Sequence, residues 1–265
     1  MRVLIYGLPD SGKTYLAENL VKYLGNSVAW FNADQVRQEA DDWDFSDEGR
    51  LRQNTRMRLL CEEAEATGKV AIADFVAPFA NARKEFNADL EIFMDTVTES
   101  KYEDTNKVFE RPHYASIYND VYTVTEHNDK DAIHIAWLIG NLFIWNNKAP
   151  TTQMLGRYQP WHNGHQALFD RAIAKHGQVI LMVRDMDTDK DNPYSADEVI
   201  ENLKEKLVHY AGKVNLVIVP NVLNITYGRD VGYKIEQESF DKDIEDISAT
   251  KIRMATDAIE GKYGI

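Results

Sequence analysis

The sequence predicts an α/β protein of two units, each built on a parallel sheet. Three observations predict it. Short apolar runs alternate with stretches of helical spacing through residues 1–96. The alternation lapses in a polar stretch over residues 97–130 and restarts after Pro150. In each half the first apolar run leads into a glycine-bearing loop and then a helix.

Val3 to Tyr6 is the first strand, followed by the loop Gly7-Leu8-Pro9-Asp10-Ser11-Gly12-Lys13-Thr14. A helix then runs through about Tyr23, with Tyr15, Leu16, Leu20, Val21 and Leu24 at helical spacing. Val28 to Phe31 is a second strand, ending at Asn32-Ala33-Asp34; Ser46 to Thr67 is charged and helical. Val70 to Phe75 and Leu90 to Met94 are the third and fourth strands. Parallel strands are covered on both faces, and ligands bind beyond their carboxyl ends. Asp34, Asp74 and Asp95 fall there. Residues 97–130 are expected to be irregular and in part a lid, since loops that long are usually functional. Ile133 to Trp145 is an apolar helix, and Asn146 to Thr152, with Ala149-Pro150, a linker dividing residues 1–148 from 149–265. The second half reads as strand Thr152 to Leu155, helix Gly164 to Lys175, strand Val179 to Val183, helix Ala196 to His209, strand Val214 to Val219 and a last helix from Thr250.

The 265 residues carry 43 Asp plus Glu against 30 Lys plus Arg, a formal charge of -13, with no basic run. Such a surface repels polyanions and anionic membranes, so the partners expected are small nucleotides, with no nucleic acid and no membrane. Nothing in the composition calls for an oligomer. Anionic ligands must be held by local loops and helix N-termini. The single cysteine, Cys61, rules out an intramolecular disulfide and is expected to be a buried small hydrophobe. No apolar run reaches membrane-spanning length, and the start reads as a strand rather than a signal peptide. A cytoplasmic setting is expected (the host's, for a viral gene).

The first loop is a GxxxxGK[ST] phosphate loop in the strand–loop–helix setting the motif requires. Gly7 and Gly12 let backbone amides face phosphate oxygens, with Asp10 and Ser11 between them. Lys13 supplies charge for the β- and γ-phosphates, and Thr14 a hydroxyl for Mg²⁺. ATP is the expected co-substrate. The second loop, Leu155-Gly156-Arg157-Tyr158-Gln159-Pro160-Trp161-His162-Asn163-Gly164-His165, places two histidines at a helix N-terminus, where they and the amides can donate to a phosphate. Ile247-Ser248-Ala249-Thr250-Lys251-Ile252-Arg253 adds hydroxyls and two cations suited to a departing pyrophosphate. A zinc site at His162 and His165 lacks further ligands nearby in sequence.

Phe31-Asn32-Ala33-Asp34-Gln35-Val36-Arg37, Phe45-Ser46, Arg50 and Phe75-Val76-Ala77-Pro78-Phe79 with Arg83 resemble adenylylsulfate kinase over roughly residues 1–96. The resemblance implies a P-loop NTPase parallel sheet. It also implies that Asp34 sits near the acceptor hydroxyl and Mg²⁺ as base or orienting group. By the same resemblance Arg37 and Arg50 grip an anionic acceptor, and Phe45, with Phe75 nearby, receives its ring. The sequence departs from the family in several places: its Asp-Gly-Asp is Asn32-Ala33-Asp34, Gln53 and Ala77 replace an asparagine and a serine, and the basic lid is replaced by Lys101-Tyr102-Glu103-Asp104-Thr105-Asn106-Lys107. Asp34 read alone also suits a helix N-cap, and the arginines a solvated face.

The second pair of motifs resembles the HxGH/ISSTxxR nucleotidyltransferases over roughly residues 152–265, which implies a Rossmann-like nucleotidyltransferase parallel sheet. There His162, His165, Lys251 and Arg253 are implied as catalytic, and Gly156, Arg157, Gln159, Ser248 and Thr250 as nucleotide-binding. Gly-Arg-Tyr-Gln-Pro is similar to the adenylyltransferase lead-in and favours ATP over CTP. Arg184-Asp185, Asn224 and Tyr227-Gly228-Arg229-Asp230 suit an acceptor pocket, and the last four equally suit a turn. Together the motifs imply two linked steps on one small metabolite: phosphorylation of an adenylylsulfate-like acceptor and nucleotidyl transfer. Two alternatives stay open: a ribosylnicotinamide-type kinase with nicotinamide mononucleotide adenylyltransferase, and a non-catalytic nucleotide sensor.

Overall fold

The computed structural model describes residues 1–112, 121–226, 228, 232, 234–245 and 247–253. The chain divides into two compact units, Met1–Ile144 and Trp145–Ile265. The first comprises β1 (Arg2–Tyr6), α1 (Lys13–Leu24), β2 (Val28–Asn32), α2 (Ala33–Glu39), α3 (Asp47–Ala66), β3 (Val70–Phe75), α4 (Ala80–Phe86), β4 (Leu90–Met94), α5 (Glu103–Val108), β5 (Val121–Val124) and α6 (Asp129–Ile139). Its five strands are all parallel, in the order β2-β3-β1-β4-β5.

The strand sequences explain this order. β1 and β3 are apolar almost throughout and buried along their whole length, as inner strands covered on both faces must be. Leu4 and Tyr6 pack with Ala71, Ala73 and Phe93, and α3 adds Met57, Cys61 and Ala64 to the same cluster. Burying each large side chain of this kind contributes about 1.5–3 kcal/mol. Cys61 is fully buried, and burial pushes its thiol up to about 12, so it behaves as the small hydrophobe the sequence predicts. The register sets Asp74 beside Ile5 on one side and Asn32 on the other, at the carboxyl edge of the sheet.

Several elements differ from the sequence-based expectation. Val121–Val124 is a strand inside the stretch expected to be irregular; it is four residues long and, among the described residues, pairs with β4 alone, so its pattern is short and one-sided. The helices α2 and α4 have seven residues each, too few for a periodicity to emerge. The apolar helix begins at Asp129, capped by the Asn128 side chain, and ends in a π-helical turn over Gly140–Ile144. Residues 113–120 of the expected lid lie outside the described residues.

The second unit holds β6 (Thr152–Gly156), α7 (Asn163–His176), β7 (Val179–Arg184), α8 (Ala196–Lys206), β8 (Val214–Val219) and α9 (Lys242–Glu245). Its three strands are parallel, in the order β6-β7-β8. The start of α8 is a capping box, with the Ser195 hydroxyl accepting from the Glu198 amide while the Glu198 carboxylate accepts from the Ser195 amide. That helix ends at Lys206 rather than His209, and a 3-10 turn over Val208–Tyr210 follows. Residues 249–253 are helical, one position earlier than expected at the start; the rest of the predicted last helix, and Tyr227, Arg229 and Asp230, lie outside the described residues. No helix among the described residues is long and apolar enough to cross a membrane.

Candidate functional site

The phosphate loop bridges β1 and α1. Gly12 adopts φ 84° and precedes a helix with no side-chain cap and no acid in its first turn, so orphan amides face the loop as an anion requires. A Cβ at Gly7 would lie 2.6 Å from the Met94 carbonyl oxygen, so only glycine lets the loop leave the sheet this close to β4. A Cβ at Gly12 would lie 2.4 Å from the His127 ring, which places that imidazole against the loop. The Thr96 hydroxyl donates to the Ser11 carbonyl at 2.8 Å and braces the loop from the β4 side. Asp10, with φ 65°, pairs with Lys101 at 3.6 Å; both side chains are exposed, so the pair contributes little.

The Lys13 ammonium donates to the Leu8 carbonyl at 2.7 Å. Burial lowers it from 10.5 to about 8, against the opposing pull of Asp74, Asp34 and Asp10. Lys13 is a cation below that value and loses its charge as pH rises through it. The ATP dissociation constant of the free protein is therefore expected to rise about tenfold between about pH 7 and about pH 9. Calorimetric titrations across that range check this, and Lys13→Arg, whose guanidinium stays charged, is expected to flatten the dependence.

Thr14 donates its hydroxyl to Asp74 at 2.8 Å. Asp74 is only 2 % exposed and also accepts from the Trp30 indole at 2.7 Å and from the Asn32 amide at 3.1 and 3.2 Å. Burial raises its pKa, with those donors and Lys13 opposing. A buried carboxylate beside the phosphate-loop hydroxyl fits Mg²⁺, which is held by one or two carboxylates plus substrate phosphates. Accordingly, no cluster of three or more His, Cys, Asp or Glu suited to a metal occurs among the described residues. Thr14 and Asp74 would hold the ion, and Asp34 lines the same cavity. The metal set expected from sequence is Thr14 and Asp34; Asp74, outside that set, is hydrogen-bonded directly to Thr14. Asp34 is not a helix N-cap: the Asn32 side chain caps α2, accepting from the Asp34 and Gln35 amides at 3.1 Å each.

A cavity of about 980 Å³ opens beside the loop, and Lys13, Thr14, Asp34, Asp74, Arg37, Phe45 and Arg50 are among the residues that line it. Phe45 is half-exposed and lies over the Arg37 guanidinium at 4.7 Å, with Trp43 at 6.4 Å. Phe75 lines the cavity from below but is 7 % exposed and packs on Phe86 in the core, so it is a wall rather than a stacking surface. The two arginines are not solvated. Arg37 is 5 % exposed and donates to the Asp42 and Asp44 carbonyls at 2.9 and 3.0 Å. Arg50 is paired with Asp104 at 2.7 Å. Arg83 ties the wall together, donating to the Ala77, Pro78 and Glu110 carbonyls at 2.7, 3.1 and 2.8 Å. It thereby steadies Ala77 in the left-handed region at φ 42°.

In the second unit His162 is the N-cap of α7. Its Nδ1 accepts from the Gly164 and His165 amides at 3.1 and 3.3 Å, which leaves the proton of the neutral ring on Nε2. The His162 and His165 rings stack at 3.8 Å. Burial, reinforced by His162, lowers His165 to about 4, and burial also lowers His162. Arg253 donates to the Gln159 carbonyl at 2.6 Å and to the Thr250 hydroxyl at 3.2 Å, bringing the second motif to the first. The Ser248 hydroxyl accepts from the Lys251 amide at 3.2 Å and starts the short helical segment. The Gln159 side chain binds the Tyr194 backbone in both directions, at 2.7 and 3.1 Å, and is 5 % exposed. It braces the loop through both ends of its amide. Arg157 reaches Asn192 at 3.3 Å, and the Gly156 α-carbon lies so close to Tyr158 that a Cβ would meet its ring at 2.8 Å.

Sequence reasoning did not single out Trp43, Tyr102, Asp104 or His127. The signal for Asp74 was present, as an acid at the end of the strand next to the phosphate loop; the other four sit in irregular or very short elements with no spacing to read.

Residues 1–119 match the family Adenylylsulphate kinase. Among solved structures, the chain is similar to the Mycobacterium tuberculosis APS kinase CysC in complex with AMPPNP and APS, at 19% identity over 52% of this chain and 96% of that one, TM-score 0.41. It is similar to the hexameric APS kinase from Thiobacillus denitrificans at 20% identity, over 54% of this chain and 29% of that one, TM-score 0.41. The shikimate kinase from Acinetobacter baumannii in complex with shikimate follows at 18% identity, over 52% and 92%, TM-score 0.35. The search of curated proteins gave no match. The first 120 or so residues are an adenylylsulfate-kinase-like P-loop kinase domain.

Proposed function

We propose that residues 1–144 transfer the γ-phosphoryl group of ATP to the hydroxyl of a small ring-bearing acceptor. The observation that carries this reading is the junction of Lys13, Thr14 and Asp74 at the carboxyl edge of β1 and β3, opening into a single cavity with Asp34. The acceptor oxygen attacks the γ-phosphorus, the bond to the β-phosphate oxygen breaks, and ADP leaves. Asp34 orients the hydroxyl and takes its proton. Lys13 and the loop amides hold the β- and γ-phosphates in line. Bound Mg²⁺ supplies neutralisation of the charge shared by those oxygens. The test is an acceptor panel with Mg-ATP, read by mass spectrometry for an acceptor heavier by one phosphoryl group. Asp74→Asn is expected to raise the Mg²⁺ concentration for half-maximal rate about 10–100-fold. An unchanged Mg²⁺ requirement would remove Asp74 from the site.

For residues 145–265 we infer nucleotidyl transfer from ATP, supported by the stacked His162–His165 pair and by Arg253 docking Thr250 onto the same loop. An acceptor oxyanion attacks the α-phosphorus, the bond to the β-phosphate oxygen breaks, and pyrophosphate leaves. The histidines stabilise the α- and β-oxygens; Lys251, Arg253 and Ser248 receive the leaving group. Both reactions draw on a small nucleotide, ATP, rather than on a polyanion, in keeping with a formal charge of -13.

A further inference from the structure

The cavity beside the phosphate loop carries its own charge specification. Arg50, whose side chain is 8 % exposed, donates from Nε to the Phe45 carbonyl at 2.8 Å. From Nη2 it donates to Asp104 at 2.7 Å and to the Thr105 hydroxyl at 3.1 Å. Three of the five donor hydrogens of a guanidinium are thereby committed. Arg37 commits Nη1 to two backbone carbonyls and one face to Phe45. The acids lining the same cavity are Asp10, Asp34, Asp74 and Asp104, against the cations Lys13, Arg37 and Arg50. With Lys13 and the loop serving ATP, the two remaining cations, Arg37 and Arg50, are matched by acids of the same lining before any acceptor arrives.

Its rim is aromatic and uncovered. Trp43, Phe45 and Tyr102 line the cavity with 52 %, 51 % and 49 % of their surface exposed. Three large rings left in water around one concavity are a stacking surface for a planar group. Tyr102 and Asp104 come from the same short stretch, so the segment that supplies a ring also supplies the carboxylate on Arg50.

We propose that the acceptor of the N-terminal unit is a ring-bearing alcohol that is neutral or cationic where it meets Asp104, and not a sulfate- or phosphate-bearing anion. This rests on the phosphotransferase reading above. An anion at Arg50 has to share the guanidinium with Asp104 and lies beside that carboxylate, in a cavity that Asp34 also lines. A nucleoside-like alcohol stacks on the exposed rings, leaves the Arg50–Asp104 pair intact and presents its hydroxyl toward Asp34. A cationic ring gains attraction from Asp104, which is 66 % exposed and keeps acceptor capacity beyond its bond to Arg50.

The experiment uses the full chain with Mg-ADP and three probes: adenosine (neutral), ribosylnicotinamide (cationic) and adenylylsulfate (anionic). Calorimetry measures binding, and mass spectrometry measures phosphoryl transfer once ATP replaces ADP. At least one nucleoside is expected to bind about tenfold or more tighter than adenylylsulfate. Asp104→Asn is expected to weaken the cationic probe and strengthen the anionic one, each about tenfold, with ATP binding unchanged. Tighter binding of adenylylsulfate to the native chain, or no binding of any probe, overturns the proposal. So does an Asp104→Asn variant with the native order of affinities. A nucleoside that binds as expected yet gains no phosphoryl group sinks the phosphotransferase reading and leaves the charge preference standing. Preferred transfer to adenylylsulfate keeps that reading and overturns the charge preference.

Discussion

Replacement of Lys13 by alanine is expected to lower phosphoryl transfer about 10²–10³-fold, the scale of losing one preorganised charge-stabilising donor. Pyrophosphate release by the second unit is expected to continue at its native rate. The ammonium is the phosphate loop's own cation, and burial already holds it in a site where charge is costly to keep. Its hydrogen bond to the Leu8 carbonyl shows the side chain folded back along the loop, within reach of the position a β-phosphate takes. Alanine leaves the loop backbone intact, since Gly7, Gly12 and the Thr96 brace set its path. Parallel assays of ADP and pyrophosphate on one preparation check this. Equal loss of both would mean that one site performs both reactions.

His165→Ala is expected to do the reverse, costing ~3 kcal/mol of transition-state stabilisation in nucleotidyl transfer while phosphoryl transfer is unchanged. His165 is the cleaner of the two histidines to remove. His162 caps α7 through Nδ1, so its loss also weakens the helix start by about 1 kcal/mol. His165 stacks on His162 at 3.8 Å, with Trp161 at 5.4 Å and Tyr158 at 5.1 Å. Burial lowers it to about 4, so near neutral pH the ring is uncharged and has a single N–H to donate. The readout is the single-turnover rate of pyrophosphate release. Full retention of that rate would take the histidine out of the mechanism. A thermal melt of the variant separates a catalytic loss from a packing loss.

The sequence made the phosphate loop and the first four strands legible because both are local: a fixed spacing of glycines and short apolar runs bounded by polar ends. The fifth strand and the two seven-residue helices were hidden because four to seven residues do not complete a recognisable period. Within the site, Lys13 and Thr14 were readable from spacing, whereas their alliance with Asp74 depends on the pairing of β3 with β1. Arg37 and Arg50 were found by resemblance, but what occupies them was not. Asp104 lies 54 residues from Arg50, and the Arg37 partners are backbone carbonyls, which no side-chain pattern announces. Gln159 was likewise read by type and resemblance, and its bonds to the Tyr194 backbone, 35 residues away, were not announced by any spacing.

Asn32 touches more of the site than its size suggests, since it caps α2, donates to Asp74 and donates to the Thr14 hydroxyl at 3.3 Å. Adenylylsulfate kinases carry an acid at this position by the resemblance above. Aspartate here would keep the cap, because it accepts the same two amides. It would also set a second carboxylate about 3 Å from the first, and two such acids without a metal share one proton. An amide at 32 instead gives the buried Asp74 carboxylate a donor where an acid would give it a rival for the proton, so the charge of that carboxylate is kept by its neighbours before any metal arrives.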